Sequence, residues 1–313
     1  KDMKAYEEAG ITTFDCADIY TGVEELIGKF LKQYREAFQA GDLSPVQIHT
    51  KYVPDYNALP TLTKAQTEAV IDRSLKRLGI ERLDLVQFHW WDFNTPGYVD
   101  AAGHLADLQR AGKIRHISVT NFDAAHLSEL LEAGIPVVSN QVQYSVLDRR
   151  PASDLYPVCE KHDIALLCFG SVAGGFLTDR YLNAPSPEPP FENRSLTKYR
   201  LIIEENGDWG FFQTTLTVMR AIADKYAVGI AEVAAQWVLQ RPYVAGVIIG
   251  ARNQYHLPKL KKLNSFSLDP SDLDAIQERI DQARGPSGPV YDLERDKTGK
   301  HGRIMKYNLN KKE

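Results

Sequence analysis

Four side chains in the first third of this 313-residue chain, Asp15, Tyr20, Lys51 and His89, could together deliver a proton to an oxygen that gains negative charge. A tyrosine titrates near pH ~10 and is a slow proton donor at neutrality when alone. A lysine ammonium beside it favours the phenolate and so eases loss of the proton. In that arrangement Asp15 pairs with Lys51 and balances its charge, while His89 hydrogen-bonds a substrate carbonyl oxygen and turns it toward the phenol. Singly, each residue has an ordinary explanation: a helix-capping acid, a solvated lysine, a rim tyrosine, a histidine among Phe88, Trp90 and Trp91. Their order and spacing along the chain favour the joint reading.

The elements that must position them follow from the apolar runs. Strand-like segments recur at 11–15, 47–51, 83–89, 115–120, 137–141, 164–169 and 244–250, several of them almost wholly apolar, as parallel strands covered on both faces are. Helical segments lie between them. Thr63 opens 64–78, with a stripe of Val70, Leu75 and Leu78 and a stop at Gly79. Leu105 and Leu108 share a face of the next helix, which ends near Gly112. Asp123 caps 124–132, and 231–240 ends at Arg241-Pro242.

Repeated strand–helix alternation at about 31 residues per unit is the rhythm of an α/β fold, the (β/α)8 TIM barrel of ~250 residues. Only seven strands can be counted, and the expected helix at 1–10 has no strand before it. The barrel is therefore expected to lack its usual first strand. Either an N-terminal piece is absent, or a late strand through Met305, Tyr307 and Leu309 substitutes for it. One barrel domain is expected over 1–283, with a long loop at 178–208 rich in proline (Pro185, Pro187, Pro189, Pro190) on the ligand face. The stretch 284–313 is expected to be a solvated tail, or a strap whose start at Gly285–Tyr291 crosses the pocket mouth.

In a parallel barrel, ligands bind at the C-terminal strand ends. There the sequence places Asp15, Lys51, His89, Thr120-Asn121, Gln141, Phe169-Gly170-Ser171 and Gly250-Ala251-Arg252, with Tyr20 five residues beyond Asp15. Of the two tryptophans after His89, Trp90 is taken as the pocket wall, together with Tyr52.

Composition sets outer limits. The chain is 43% apolar and 25% charged with a net charge of −4, enough apolar mass for a core and no general drive toward nucleic acid. No apolar run approaches the ~20 residues needed to cross a bilayer. The cysteines, Cys16, Cys159 and Cys168, are too few and scattered for a disulfide framework, and the histidines show no metal spacing. A reduced cytoplasmic or organelle-matrix protein without a metal is expected.

The segment Asp15-Cys16-Ala17-Asp18-Ile19-Tyr20, followed by Glu24, Glu25 and Gly28, resembles a signature of the aldo-keto reductase family. So do His49-Thr50-Lys51-Tyr52, Gln87-Phe88-His89-Trp90, Ser118-Val119-Thr120-Asn121-Phe122, Asn140-Gln141-Val142-Gln143-Tyr144 and the run from Phe169 to Thr178, in the right order. The resemblance spans roughly 10–281 and implies an oxidoreductase using NADP(H) to reduce a small carbonyl compound, which the aromatic residues near the pocket suggest is apolar or aromatic. It implies Tyr20 as general acid, supported by Asp15, Lys51 and His89. Thr120, Asn121 and Gln141 would hold the nicotinamide carboxamide, and Phe169 would stack on the ring. Gly170, Ser171, Ala173, Gly174 and Phe176 would line the diphosphate and ribose. Gly250, Arg252, Asn253 and His256 would meet the adenosine end, Arg252 taking the 2′-phosphate through its guanidinium fork.

Two departures stand out: the missing first strand, and His256-Leu257-Pro258-Lys259-Leu260 where the family carries a glutamine–glutamate–asparagine run. They leave two alternatives to an enzyme, a cofactor-binding partner or sensor subunit with little turnover, and a truncated form that binds no cofactor.

Overall fold

The computed structural model describes residues 2–310, and each of the seven apolar runs is a strand in it. The chain divides into two compact units, one formed by residues up to Gln141 with the C-terminal residues from Lys306, the other by Val142–Met305. In the first lie α1 (Asp2–Glu8), β1 (Thr13–Asp15), α2 (Val23–Gln33), α3 (Arg35–Ala40), β2 (Gln47–Tyr52), α4 (Lys64–Leu78), β3 (Leu83–Phe88), α5 (Tyr98–Arg110), β4 (Ile114–Thr120), α6 (Ala124–Glu132) and β5 (Val137–Gln143), the division falling inside β5. In the second lie α7 (Arg150–Asp154), α8 (Tyr156–His162), β6 (Ala165–Phe169), α9 (Arg194–Asn206), α10 (Trp209–Lys225), α11 (Ile230–Leu239), β7 (Val244–Ile248), α12 (Leu257–Leu260), α13 (Pro270–Asp281) and α14 (Asp292–Arg295). The strands follow sequence order β1 to β7, the parallel α/β arrangement of the (β/α)8 barrel class.

In the first unit, parallel pairing sets Asp15 level with His49, Lys51 with Gln87, and Thr120 with Gln141. Alternate residues of a strand share a face, so His49 and Lys51 face together, as do Gln87 and the position of His89. Helix starts obey local chemistry. Thr63 and Gln66 form a reciprocal capping box on α4, and the Asp123 carboxylate accepts from the His126 N–H at the start of α6.

The buried face of α4 differs from the expected stripe. It is Thr67, Ile71, Ser74 and Leu78, not Val70, Leu75 and Leu78. Two of the four are small polar residues, which an apolar count overlooks. Thr67 earns its place by pairing its hydroxyl with Tyr52 Oη at 3.0 Å.

Among the described residues no strand follows β7. The stretch around Tyr307 is therefore not a substitute strand. Its carbonyl accepts one bond from Tyr56 N–H at 2.8 Å, and its ring sits edge-on to Trp91. Nor is 178–208 only a loop. Asn193 caps α9 by accepting from the Leu196 N–H, and Tyr199, Ile202, Ile203 and Asn206 give it a buried face. The prolines end before the helix begins, so they delimit it without excluding it. Residues of the C-terminal stretch are also packed: Val290, Tyr291, Glu294 and His301 are buried, and Glu294 bonds Arg150.

One close approach demands glycine. A Cβ on Gly28 of α2 would lie 2.2 Å from the Arg77 carbonyl oxygen at the end of α4. Gly103, inside α5, has nothing within 4 Å of that point. Gly28→Ala is expected to destabilise the protein by ~1–3 kcal/mol through overpacking, whereas Gly103→Ala should be neutral or stabilise by up to ~1 kcal/mol. Thermal unfolding of the two variants checks the contrast.

Candidate active site

β1 ends at Asp15, and this carboxylate gathers donors from three other strands, β2, β3 and β5. Its Oδ2 accepts from Lys51 Nζ at 2.6 Å; its Oδ1 accepts from Gln87 Nε2 at 2.8 Å and Gln141 Nε2 at 2.7 Å. Lys51 Nζ also donates to the Cys16 carbonyl at 3.0 Å, and Gln141 donates to Gln87 Oε1. Burial works to lower the pKa of Lys51, but the charges of Asp15 and Tyr20 and the bond to Asp15 outweigh it and raise the pKa. The ammonium therefore stays charged inside the protein.

Tyr20 stands on the loop after β1. Cys16 and Ala17 are sealed, while Tyr20 is 46% exposed. Lys51 Nζ lies 5.6 Å from its ring centroid. The loop is tied down by Asp18, whose Oδ2 accepts from the Val53 N–H at 3.3 Å. Burial raises the Asp18 carboxyl to about 8, against the opposing pull of that backbone bond. At neutral pH it is mostly protonated.

His89 follows β3. Its backbone N–H donates to the Tyr52 carbonyl at 3.0 Å, and its Nδ1–H donates to the Thr120 carbonyl at 3.2 Å. A carbonyl can only accept, so Nδ1 carries the hydrogen. The ring is met edge-on by Trp91 at 4.4 Å between centroids. The structure thus brings together Asp15, Tyr20 and Lys51, and anchors His89 on the strand next to Lys51.

The two expected pocket residues are core instead. Trp90 is wholly buried, its indole N–H donating to the Asp92 and Thr95 carbonyls and its ring against Phe88 and Tyr98. Tyr52 is also wholly buried, stacked on Phe88 with its hydroxyl on Thr67. Trp91 is the tryptophan against His89. A one-residue step along an extended chain reverses the face, which separates the neighbours.

Thr120 Oγ1 donates to the Gln141 carbonyl at 3.1 Å, and Asn121 adopts a left-handed backbone conformation (φ 62°) with its N–H on the same carbonyl. The amide nitrogen of Gln141 is turned onto Asp15 and Gln87, so this residue braces the carboxylate. Gln87 carries no role in the sequence reading, yet it donates directly to Asp15. The signal was available, because it lies two residues from His89.

In the second unit, Phe169 ends β6 and is half-buried. Gly170 and Gly174 have positive φ, and a Cβ on either would come within 2.6 Å of Tyr199, so these glycines admit that ring. Ala173 and Phe176 are fully buried, Phe176 in a cluster with Tyr181, Trp209 and Phe212. Their side chains are packed in the core. Ser171 differs: its Oγ is buried with no hydrogen-bond partner among the described residues. A hydroxyl left unsatisfied in this loop fits a polar ligand such as a ribose or phosphate.

Gly250, Arg252, Asn253 and His256 all lie exposed; Asn253 caps the following turn by accepting from the Tyr255 N–H, and His256 meets Tyr255 edge-on. No group of three metal-ligating side chains is assembled among the described residues. No helix among them is long and apolar enough to cross a membrane.

Comparison with known proteins adds the following. The sequence model of the Aldo/keto reductase family matches residues 1–281. Flagellar radial spoke protein 5 of Chlamydomonas reinhardtii is 30% identical over 257 residues, 71% of this chain; the chain spans only 48% of that protein's length. Aldo-keto reductase YhdN of Bacillus subtilis is 25% identical, with 92% of this chain and 86% of that one covered. L-glyceraldehyde 3-phosphate reductase of Escherichia coli K12 is 26% identical, with 88% and 82% covered. Among solved structures, a thermostable aldo-keto reductase, Tm1743, crystallised with the inhibitor epalrestat, superposes with a TM-score of 0.68 at 24% identity, covering 88% of this chain and 85% of that one.

The raised pKa of Asp18 carries a sign for stability. Below the ordinary carboxylate value of 3.8 the acid is neutral whether folded or unfolded; as pH rises toward about 8 only the unfolded chain ionises, so burying Asp18 becomes progressively unfavourable. Asp18→Asn, neutral at every pH, should therefore gain in unfolding temperature relative to the parent between pH 4 and 8. Melting curves at both ends of that range check it; a constant difference would show that Asp18 is ionised in the fold.

Proposed function

The chain belongs to the aldo/keto reductase family, whose members are oxidoreductases acting on carbonyl compounds, and from that premise we propose that it reduces an aldehyde or ketone to an alcohol with NADPH, Tyr20 acting as general acid. The observation that carries this reading is the buried Lys51 ammonium, fixed by Asp15 at 2.6 Å and set 5.6 Å from the ring of the exposed Tyr20.

The chemistry follows from that placement. As the carbonyl oxygen gains negative charge, the Tyr20 hydroxyl gives it a proton, and the phenolate left behind is stabilised by Lys51. Asp15, held by Gln87 and Gln141, keeps the ammonium from swinging away. His89, its ring plane fixed by Thr120 and Trp91, orients the carbonyl oxygen. Trp91 also edges onto Tyr307, and this aromatic surface beside His89 favours an apolar or aromatic carbonyl compound.

NADPH, when bound, supplies the hydride to the carbonyl carbon. In this reading Thr120, Asn121 and Gln141 take its carboxamide, Phe169 faces the nicotinamide, and the Ser171 hydroxyl with the backbone of 170–175 takes ribose and diphosphate. Arg252, exposed on the surface, takes the 2′-phosphate. The three cysteines are buried free thiols, as suits a reducing compartment such as cytoplasm or an organelle matrix.

A second reading has one specific support, the 30% identity to a protein named as a flagellar component. The chain would then be a cofactor-binding partner subunit with little turnover. Turnover of NADPH with a panel of aromatic aldehydes separates the two. Tyr20→Phe should bind NADPH like the parent, by fluorescence titration, and lose at least ~10²-fold in rate. A parent-like rate in Tyr20→Phe removes the general-acid assignment, and a parent that binds NADPH without consuming it supports the second reading.

A further inference from the structure

Helix α9 carries Lys198, which no motif in the sequence marks. Its Nζ lies 4.6 Å from the centroid of Phe169, 5.5 Å from that of Tyr199 and 5.9 Å from that of Tyr291. Lysines usually extend their ammonium into water. This one is half-buried with its ammonium over three ring faces, and desolvation is the main influence on it, pulling its pKa below the ordinary 10.5. Among the described residues it makes no hydrogen bond or ion pair.

The anions nearest to it already have a partner. Arg150 Nε and Nη2 donate to Asp148 at 2.9 and 2.7 Å, and its Nη1 and Nη2 donate to Glu294 at 3.1 and 3.2 Å. Glu294 and Asp148 still attract Lys198 through space, and Arg150 repels it. What fixes the ammonium over Phe169 is packing. Tyr199, the next residue of α9, is wedged against Gly170 and Gly174, so the helix and the loop that follows Phe169 are locked together.

We propose that Lys198 makes Phe169 discriminate between the two oxidation states of a nicotinamide ring, favouring the reduced, neutral form over the oxidised, cationic one. This rests on the reading of Phe169 as the nicotinamide's partner. The two forms of the dinucleotide carry the same phosphates and the same adenosine, and differ in charge only at the ring. Any attraction of Lys198 for the phosphates therefore cancels in the ratio of their affinities, and repulsion of the cationic ring does not. Stacked rings lie about 4.5–7 Å apart between centroids, which places a nicotinamide on the opposite face of Phe169 at about 10 Å from Nζ. At an effective permittivity of ~20, two unit charges at that separation change an equilibrium on the order of tenfold. The oxidised product is thus held more weakly, which favours its release after carbonyl reduction.

The test is a pair of binding measurements that need no turnover: fluorescence titration with NADPH and its displacement by NADP+. They are made on the parent, Lys198→Met, Lys198→Gln and Lys198→Arg, each first checked for folding by circular dichroism. The parent should prefer NADPH. Lys198→Met and Lys198→Gln should lower the ratio of the two Kd values about tenfold, mainly through tighter NADP+, and Lys198→Arg should keep the parental ratio. Equal weakening of both nucleotides, or no change in either, would assign Lys198 to phosphate binding or to packing and overturn the inference. If only one neutral variant folds, its ratio decides; if neither does, a parental ratio near unity overturns the inference and a marked preference for NADPH that Lys198→Arg preserves supports it. A parent that binds neither nucleotide removes the reading of Phe169 itself, and the inference with it.

Discussion

A lysine ammonium held inside a protein at full charge is the constraint from which the architecture of the first unit follows. Moving such an ion out of water costs several kcal/mol even after relaxation. Asp15 offsets that cost for Lys51 only if its carboxylate is itself satisfied, and this takes the amides of Gln87 and Gln141 as well. The donors come from β2, β3 and β5, so the register of three strands converges on one carboxylate. Removing one partner of a buried pair typically costs ~3–5 kcal/mol, because a lone charge remains. Sheet register and the charge state of Lys51 are in this sense one property.

That coupling explains which parts of the fold could be read along the chain. The strands were legible because both of their faces are covered, so their apolar content is dense and local. Lys64–Leu78 and Ala124–Glu132 were legible to the residue because caps act within one turn. The buried face of α4 was not, since Thr67 and Ser74 are inside for size and for the bond to Tyr52, which no periodicity of apolar residues reports. Likewise the proline run before α9 conceals a helix whose buried face is set by what packs on it. Asp15, Lys51, Tyr20 and His89 were visible as a group through their positions at strand ends and through family resemblance together. Trp91 became visible only once facing was known, whereas Gln87 could have been found from its two-residue spacing to His89.

The second unit shows a different limit. The family resemblance reads Gly170 and Gly174 as lining a diphosphate, and in three dimensions they make room for Tyr199, a residue about 25 positions downstream. Asp148 and Arg150 are close in sequence, but their third partner, Glu294, lies far along the chain in α14. Neither arrangement leaves a local trace. The contact with Tyr199 packs the loop after Phe169 against α9, and in the proposed function such packing helps, since ordering a mobile loop would subtract from affinity.

Rigidity behind the site and exposure at its front are both written into the six residues from Asp15 to Tyr20. Cys16 and Ala17 are wholly buried, Asp18 is a buried and mostly protonated acid, Asp15 and Ile19 are partly covered, and Tyr20 is the exposed ring. A loop built to pack would have no reason to end on an exposed aromatic ring beside a buried cation, because that ring forgoes the burial that makes tyrosine stabilising. Nor does the ammonium rely on the ring for hydrogen bonds: Asp15 and the Cys16 carbonyl take two of its three N–H donors. The exposed phenol is then the one member of the cluster that stability does not explain. It is also the one member whose position, open to an incoming molecule and next to a fixed positive charge, the proposed proton transfer calls for.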